Sequence, residues 1–312
     1  MSDPAGLSVL QWNVGNFDVR ARLPGRGAHG MAYTNGTPSR DEDLADFAAV
    51  IRAVAPDFVT LQEVVVGKGH HRRLAELTGY ALAAHGSADE RHTQALLVRQ
   101  GAAKILETVS APAPVRLVGV RVRLKGGLEL AVLSTHSEAG IRTPERVAQH
   151  RALADWSRRG GAGGPFLIGG DFNFDDAPGS LLHGAERLRS VVPFFPRVAT
   201  TDWEADSASL DGLKASLRDM AAGSGPTAGA PRLWPRILLP LGLPLIPVGW
   251  ALGVGRRRAR LDYVFGSGVE PVESRVLSLA GPGAAGHPAV SRGAFPWMDH
   301  NPVLVRFRLA GP

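Results

Sequence analysis

"PFLIGGDFNFDD", Pro165 to Asp176, is an apolar run that stops at two glycines and passes into three aspartates and an asparagine set around two phenylalanines. The apolar half, bounded by glycine, reads as a buried strand with the polar cluster at its C-terminal end. Carboxylates this close repel one another unless a positive partner or a hydrogen-bonding shell offsets their charge. If the strand persists, Asp171 and Asn173 share one face and Phe172 points to the other. A carboxylate and an amide oxygen converging there suit a hard cation or a phosphate. The spacing also suggests an EF-hand, with Asp171, Asn173 and Asp175 at its odd positions. That reading fails, because Asp176 stands where the sharp-turn glycine is needed and Leu182 where the bidentate glutamate belongs. The plainer alternative is a polar turn capping the next helix, so the rest of the chain has to decide.

Working outward, short β-rich runs alternate with helical ones. "LSVLQW", "DFVTLQEV", "QALLVR", "VRLVGVRVRL", "LELAVLSTH", "RLDYVFG", "ESRVLSL" and "PVLVRFRL" read as further strands, with "KGG" a hairpin turn before "LELAVLSTH". Leu44, Phe47, Ala48, Ile51 and Val54 recur at helical spacing, with Ser39 as N-cap and Pro56 beyond the end. "HRRLAELTG" predicts a short helix closed by Gly79. "TPERVAQHRALADWSRR" predicts an amphipathic helix opening on Thr143 and Pro144. Hairpins mixed with strand–helix–strand units predict an α/β sandwich, sheets inside and helices outside.

The 312 residues, 44% hydrophobic, are expected to form one domain over 1–312 with an apolar, Pro/Gly-rich insertion at about 221–258. Within it, Ile237 to Gly255 carries no charge and meets the length of a membrane span, but Pro240, Pro244 and Pro247 break any simple helix. The absence of cysteine excludes disulfides and thiolate chemistry. No basic region followed by an apolar core opens the chain, so the expected location is cytoplasmic. A formal charge of +6 favours a polyanionic partner, although "RRRAR", Arg256 to Arg260, is its one dense cluster.

Polar residues recur where strands end. Asn13 closes the first strand, Glu63 the second, and His136 the strand in "STHSEAG". Asp262 interrupts the apolar "RLDYVF", where an unpaired carboxylate is costly. Asp299 and His300 precede the last strand. Each alone reads as a turn or solvated residue. Six such positions at strand ends are hard to assign to separate accidents.

The ordered set Trp-Asn, Gln-Glu, Thr-His, Gly-Asp-Phe-Asn, Leu-Asp-Tyr and Asp-His resembles the endonuclease/exonuclease/phosphatase superfamily, which has the deoxyribonuclease I-like fold, over residues 9 to 309. The resemblance implies a four-layered α/β sandwich, two central mixed β-sheets flanked by helices, and a Mg²⁺-dependent phosphoesterase in which Mn²⁺ can substitute. Glu63 resembles the principal metal carboxylate, and Asn13 and Asp299 its helpers. Asp171 and Asn173 match the pair that orients water and holds phosphate. His300 with Asp262 matches the histidine dyad, and His136 the second histidine. Glu90 or His92 stands in the register of the partner of His136. Gly15 replaces the aspartate of apurinic endonucleases, which speaks against that subfamily. A binding module that has lost catalysis predicts erosion of these positions, and none is eroded.

The resemblance leaves the substrate between a nucleic acid and a phospholipid. The basic charge favours a nuclease-type phosphodiesterase, while only 6% aromatic residues offer little stacking surface. The alternative is a phosphodiesterase of the neutral sphingomyelinase type, peripheral at the membrane through 234–255. There Trp234 and Trp250 flank an apolar loop with arginines on both sides. No obligate protein partner is evident in the sequence.

Overall fold

The computed structural model describes residues 6–15, 41–64, 66–86, 93–138, 143–174, 203–224, 227–229, 258–277 and 300–310. Its strands are β1 (Leu7–Asn13), β2 (Phe58–Val64), β3 (Tyr80–His85), β4 (Thr93–Arg99), β5 (Ala103–Ser110), β6 (Leu117–Leu124), β7 (Glu129–His136) and β8 (Phe166–Asp171). They continue with β9 (Arg218–Asp219), β10 (Ala228–Gly229), β11 (Arg258–Ala259), β12 (Asp262–Ser267), β13 (Val269–Val276) and β14 (Val303–Leu309). The helices are α1 (Asp41–Val54), α2 (His70–Thr78), α3 (Thr143–Arg158) and α4 (Trp203–Ser216).

Two mixed six-stranded sheets result, ordered β13-β14-β1-β2-β4-β3 and β5-β6-β7-β8-β12-β9. They are mixed because β1–β2 and β7–β8 run parallel while their other neighbours run antiparallel. The expected two-sheet α/β sandwich is the fold observed. Three apolar layers hold it. Leu10, Trp12, Val59, Leu61 and Leu97 pack against Leu44, Phe47 and Ile51 of α1 and Leu74 of α2. Ala131, Leu133, Ile168, Tyr263 and Phe265 pack against Leu153 and Trp156 of α3 and Leu210 and Leu213 of α4. Val9, Phe58, Val132, Leu167, Val264 and Val305 fill the space between the sheets. Burying each such side chain contributes on the order of 1.5–3 kcal/mol, which is why central strands covered on both faces read as near-continuous apolar runs.

The layer between the sheets changes character along the strands. In β1, Val9, Gln11 and Asn13 take one face while Leu10 and Trp12 take the other, toward α1. The same period carries β7 from Val132 through Ser134 to His136, and β8 from Leu167 through Gly169 to Asp171. The interior therefore passes from aliphatic to amide and hydroxyl groups, and then to the residues flagged at strand ends. Gly169 belongs to this packing. A Cβ there would sit 2.2 Å from Thr60 Oγ1 and 3.2 Å from Gln11 Cγ, so only glycine lets the sheets approach at this level.

Some local features are as the sequence predicts. The "KGG" turn joins β6 to β7, and Gly79 closes α2 with φ 73°, its N–H reaching the carbonyls of Ala75 and Glu76. Others differ. β8 stops at Asp171, and Asn173 turns into the left-handed region at φ 51°, so the two do not share a strand face. β3, β5 and α4 form without having been predicted. The segment 221–258 lies largely outside the described residues, with its ends paired antiparallel as β10 and β11.

Candidate active site

The site lies where β1, β2, β7 and β8 end and β12 begins. Three strands set out one row, since Asp171 is the register partner of both His136 on β7 and Asp262 on β12. Across from them, Asn13 pairs with Gln62 in register, next to Glu63. A bulge between Leu61 and Val64 puts Glu63 at φ 55°, a backbone rarely adopted outside glycine and asparagine. A strained residue at a strand end is often a functional one.

Asp171 is the hub. Its Oδ1 accepts the Asn173 N–H at 2.8 Å, and its Oδ2 accepts Asn13 Nδ2 at 2.8 Å. Asn13 Nδ2 also donates to Glu63 Oε1 at 3.0 Å, so one amide spans the two carboxylates, while its Oδ1 accepts the Gly15 N–H. His300 Nε2 lies 3.7 Å from Asp171 Oδ2, and its Nδ1 contacts Asp262 Oδ2 at 2.8 Å. His136 Nε2 lies 3.9 Å from both Asp171 Oδ2 and Glu63 Oε1. Both ring nitrogens of His136 are buried without a hydrogen-bond partner among the described residues. Burial pushes the Asp171 carboxyl up to about 6. His300 opposes the shift, Asp262 adds to it, and His136 and the Asn13 amide also oppose it.

Of the residues flagged in the sequence, the structure thus gathers Asn13, Glu63, His136, Asp171, Asp262 and His300. Asn173 joins them by a different route. Its N–H holds Asp171, and its Nδ2 donates to the Ser137 carbonyl at 2.9 Å. Asp299, Trp234, Trp250, Glu90, His92, Asp175 and Asp176 lie outside the described residues. Among the described residues no helix is long and apolar enough to cross a membrane.

One ligand atom each from Glu63, His136 and Asp171 falls within 4.8 Å of the others, as does one each from Asp171, Asp262 and His300. The Glu63 and Asp171 carboxylates side by side, with the buried ring nitrogens of His136 left unpaired, form a donor set that a hard divalent cation fits. Mg²⁺ takes one or two carboxylates and keeps several waters.

Sequence reasoning missed the support beneath the site. Gln11, Gln62, Ser134 and Thr227 are wholly buried there. For Gln11, Gln62 and Ser134 the signal is faint but present: an uncharged polar residue inside an otherwise apolar strand must find a partner when buried. Thr227, outside any strand, gives no such signal.

Comparison with known proteins supports the same architecture. The profile of the endonuclease/exonuclease/phosphatase family matches residues 10–291. No curated protein sequence matches. Among solved structures, D. rerio TDP2 complexed with a single-strand DNA product superposes with TM-score 0.59 at 16% identity, covering 97% of this chain and 99% of that one. A mannosyl-6-phosphatase from Bacteroides thetaiotaomicron gives 0.58 at 17% identity, covering 97% and 100%. An endonuclease/exonuclease/phosphatase from Beutenbergia cavernae gives 0.55 at 22% identity, covering 98% and 72%. At these identities the structural likeness is one of fold.

Proposed function

The chain belongs to the endonuclease/exonuclease/phosphatase family and is a phosphoester hydrolase, and from that premise we propose that it cleaves phosphodiester bonds of nucleic acid with the help of Mg²⁺. The observation that carries this reading is Asp171 Oδ2, set 3.7 Å from His300 Nε2 and 3.9 Å from His136 Nε2 at the rim of the layer between the sheets. In-line attack on a phosphodiester needs a deprotonated water and stabilisation of negative charge on the equatorial oxygens. Asp171 is placed to take the proton from water. The two imidazoles face the same point and, when protonated, donate to phosphoryl oxygens. Asp262 holds Nδ1–H of His300, which turns Nε2 toward the substrate. Asn173 keeps Asp171 in place through its backbone N–H. Glu63 is the principal cation ligand in this reading, with Asn13 and Asp299 assisting, and the bound ion supplies Lewis-acid neutralisation of the phosphate.

The formal charge of +6 supports a polyanionic substrate, as does the likeness to a fold that holds a single-strand DNA product. The test offers the purified chain single- and double-stranded DNA, RNA, bis-p-nitrophenyl phosphate, p-nitrophenyl phosphate and sphingomyelin vesicles. The expected result is turnover of nucleic acid and the small diester, abolished by EDTA, restored by Mg²⁺ or Mn²⁺, and lost in His300→Ala. Turnover confined to the monoester or to sphingomyelin overturns the nucleic-acid reading. Turnover of no substrate with metal present overturns the assignment of these residues.

A further inference from the structure

The Asp262–His300 pair is held from two directions by residues with no place in the scheme above. From the first sheet, Gln11 Nε2 donates to Asp262 Oδ1 at 2.9 Å and to Gln62 Oε1 at 2.6 Å. Gln62 Nε2 donates to Ser134 Oγ at 3.0 Å, and Ser134 Oγ donates to the Leu61 carbonyl at 3.0 Å. From the other side, Thr227 Oγ1 accepts the N–H groups of Leu261 and Asp262, both at 3.1 Å. The carbonyl of the same threonine accepts the Asn301 N–H at 2.7 Å. One buried residue therefore ties the start of β12 to the backbone immediately after His300.

The direction of the first chain is fixed at both ends. The Leu61 carbonyl and the Asp262 carboxylate accept hydrogen bonds only. The Ser134 hydroxyl must therefore point to Leu61, which turns the Gln62 amide nitrogen to Ser134 and its oxygen to Gln11. Gln11 is left with both amide hydrogens directed outward, one of them at Asp262 Oδ1. A carboxylate anchored at Oδ1 cannot rotate freely, so Oδ2 stays aimed at His300 Nδ1, 2.8 Å away. Ring orientation at His300 is thereby set by residues that never meet the substrate. Such supporting partners commonly change activity by about 10–100-fold when removed.

We propose that Gln11 and Thr227 are positioning residues for this reaction. Gln11 sets the rotation of the Asp262 carboxylate, and Thr227 sets the spacing between Asp262 and His300. The proposal rests on the reading that His300 acts at the phosphoester. It is tested in the full chain with Gln11→Met, which keeps volume but removes the donor. Thr227→Val removes the hydroxyl at similar shape, and Thr227→Ser keeps it. Two measurements are made: kcat and KM on bis-p-nitrophenyl phosphate with Mg²⁺, and ¹⁵N–¹H correlations of the His300 ring, assigned by their absence in His300→Ala. The expected result is a fall in kcat of about 10-fold or more with KM little changed. A mixture of tautomers should appear where the wild type shows only Nδ1–H, and Thr227→Ser should restore both readouts. Unchanged kcat and ring signals in Gln11→Met and Thr227→Val overturn the proposal, as does a Thr227→Ser as impaired as Thr227→Val. A variant that is less stable is judged by the ring signals of its folded fraction, which a merely structural role leaves as in wild type. If the wild type turns over no phosphoester, the functional reading falls, and the tautomer comparison still decides whether these residues orient His300.

Discussion

Between the sheets, the Gln11–Gln62–Ser134 chain is made of neutral amides and a hydroxyl that lead to the Asp262 carboxylate, whereas behind the second sheet the buried polar groups form a full ion pair beside a histidine. Arg146 of α3 donates through Nε to Asp206 Oδ1 of α4 at 2.9 Å, through Nη2 to Oδ2, and through Nη1 to the Glu138 carbonyl at 3.2 Å. His150 Nδ1 meets Ser209 Oγ at 2.9 Å, and its Nε2 meets Ser137 Oγ at 3.2 Å. Gln149 Oε1 accepts the Glu138 N–H at 2.7 Å. This second network fastens residues 137–138, directly after His136, and reaches Asn173 through the Ser137 carbonyl. Its charges are paired but almost fully dehydrated, so losing one partner strands the other. The network between the sheets has less charge to strand and touches the reacting groups more closely. Damage to the first should show mainly in turnover, and damage to the second mainly in stability.

The largest expected effect tests the catalytic end of that contrast. Asp171→Asn should reduce kcat on a phosphodiester by about 10²–10⁴-fold, with the thermal midpoint moving by only a few degrees. A comparable loss of stability would mean that the site and the fold cannot be separated at this hub. Next, Arg146→Ala should cost about 3–5 kcal/mol of unfolding free energy in denaturant titrations, because the buried Asp206 carboxylate loses the guanidinium charge that offsets it. An apolar pair at both positions, Arg146→Met with Asp206→Leu, should recover most of it. A single variant as stable as wild type would show that the ion pair does not anchor the helices.

Smaller effects sharpen the comparison. Gly169→Ala should cost about 1–3 kcal/mol through overpacking against Thr60. Thr60→Ala in the same chain should relieve it, and no relief would place the strain elsewhere. The pH dependence of stability probes His150, whose pKa is lowered to about 3 by burial first and the Arg146 charge second. The unfolded chain protonates this ring near pH 6.5, while the folded chain keeps it neutral down to about pH 3. The unfolded state thus binds the extra proton. The contribution is complete above pH 6.5 and declines by about 1.4 kcal/mol per pH unit as acid is added through that window. His150→Gln should lose one proton's worth of this slope, and an unchanged slope would show that His150 titrates normally in the fold.

Sequence patterns identified the strands that are covered on both faces, because a buried strand needs an apolar residue at nearly every position. β1, β2, β8 and β12 stand out for that reason. β5 does not, since it lies at a sheet edge with most of its side chains exposed. β3, "YALAAH", is an alanine-rich edge strand with weak β-propensity. α4 escaped notice because its buried face includes Asp206 and Ser209 alongside Leu210 and Leu213. That face looks polar until Arg146 and His150 are seen to require it.

The same division holds at the site. The sequence by itself determined which chemical groups stand at the strand ends, because a carboxylate, amide or imidazole closing an apolar run is visible locally. It also suggested what such a cluster suits, a hard cation or a phosphate, because the charges are written in the residues. Tertiary structure alone decided how those groups face one another. Register across β7, β8 and β12 aligned His136, Asp171 and Asp262, a bulge turned Glu63, and a left-handed turn brought the Asn173 N–H back to Asp171. It alone assigned Gln11 to Asp262, 251 positions away in the chain. A hydrogen bond depends on distance and direction in space, and neither can be read from spacing along a sequence.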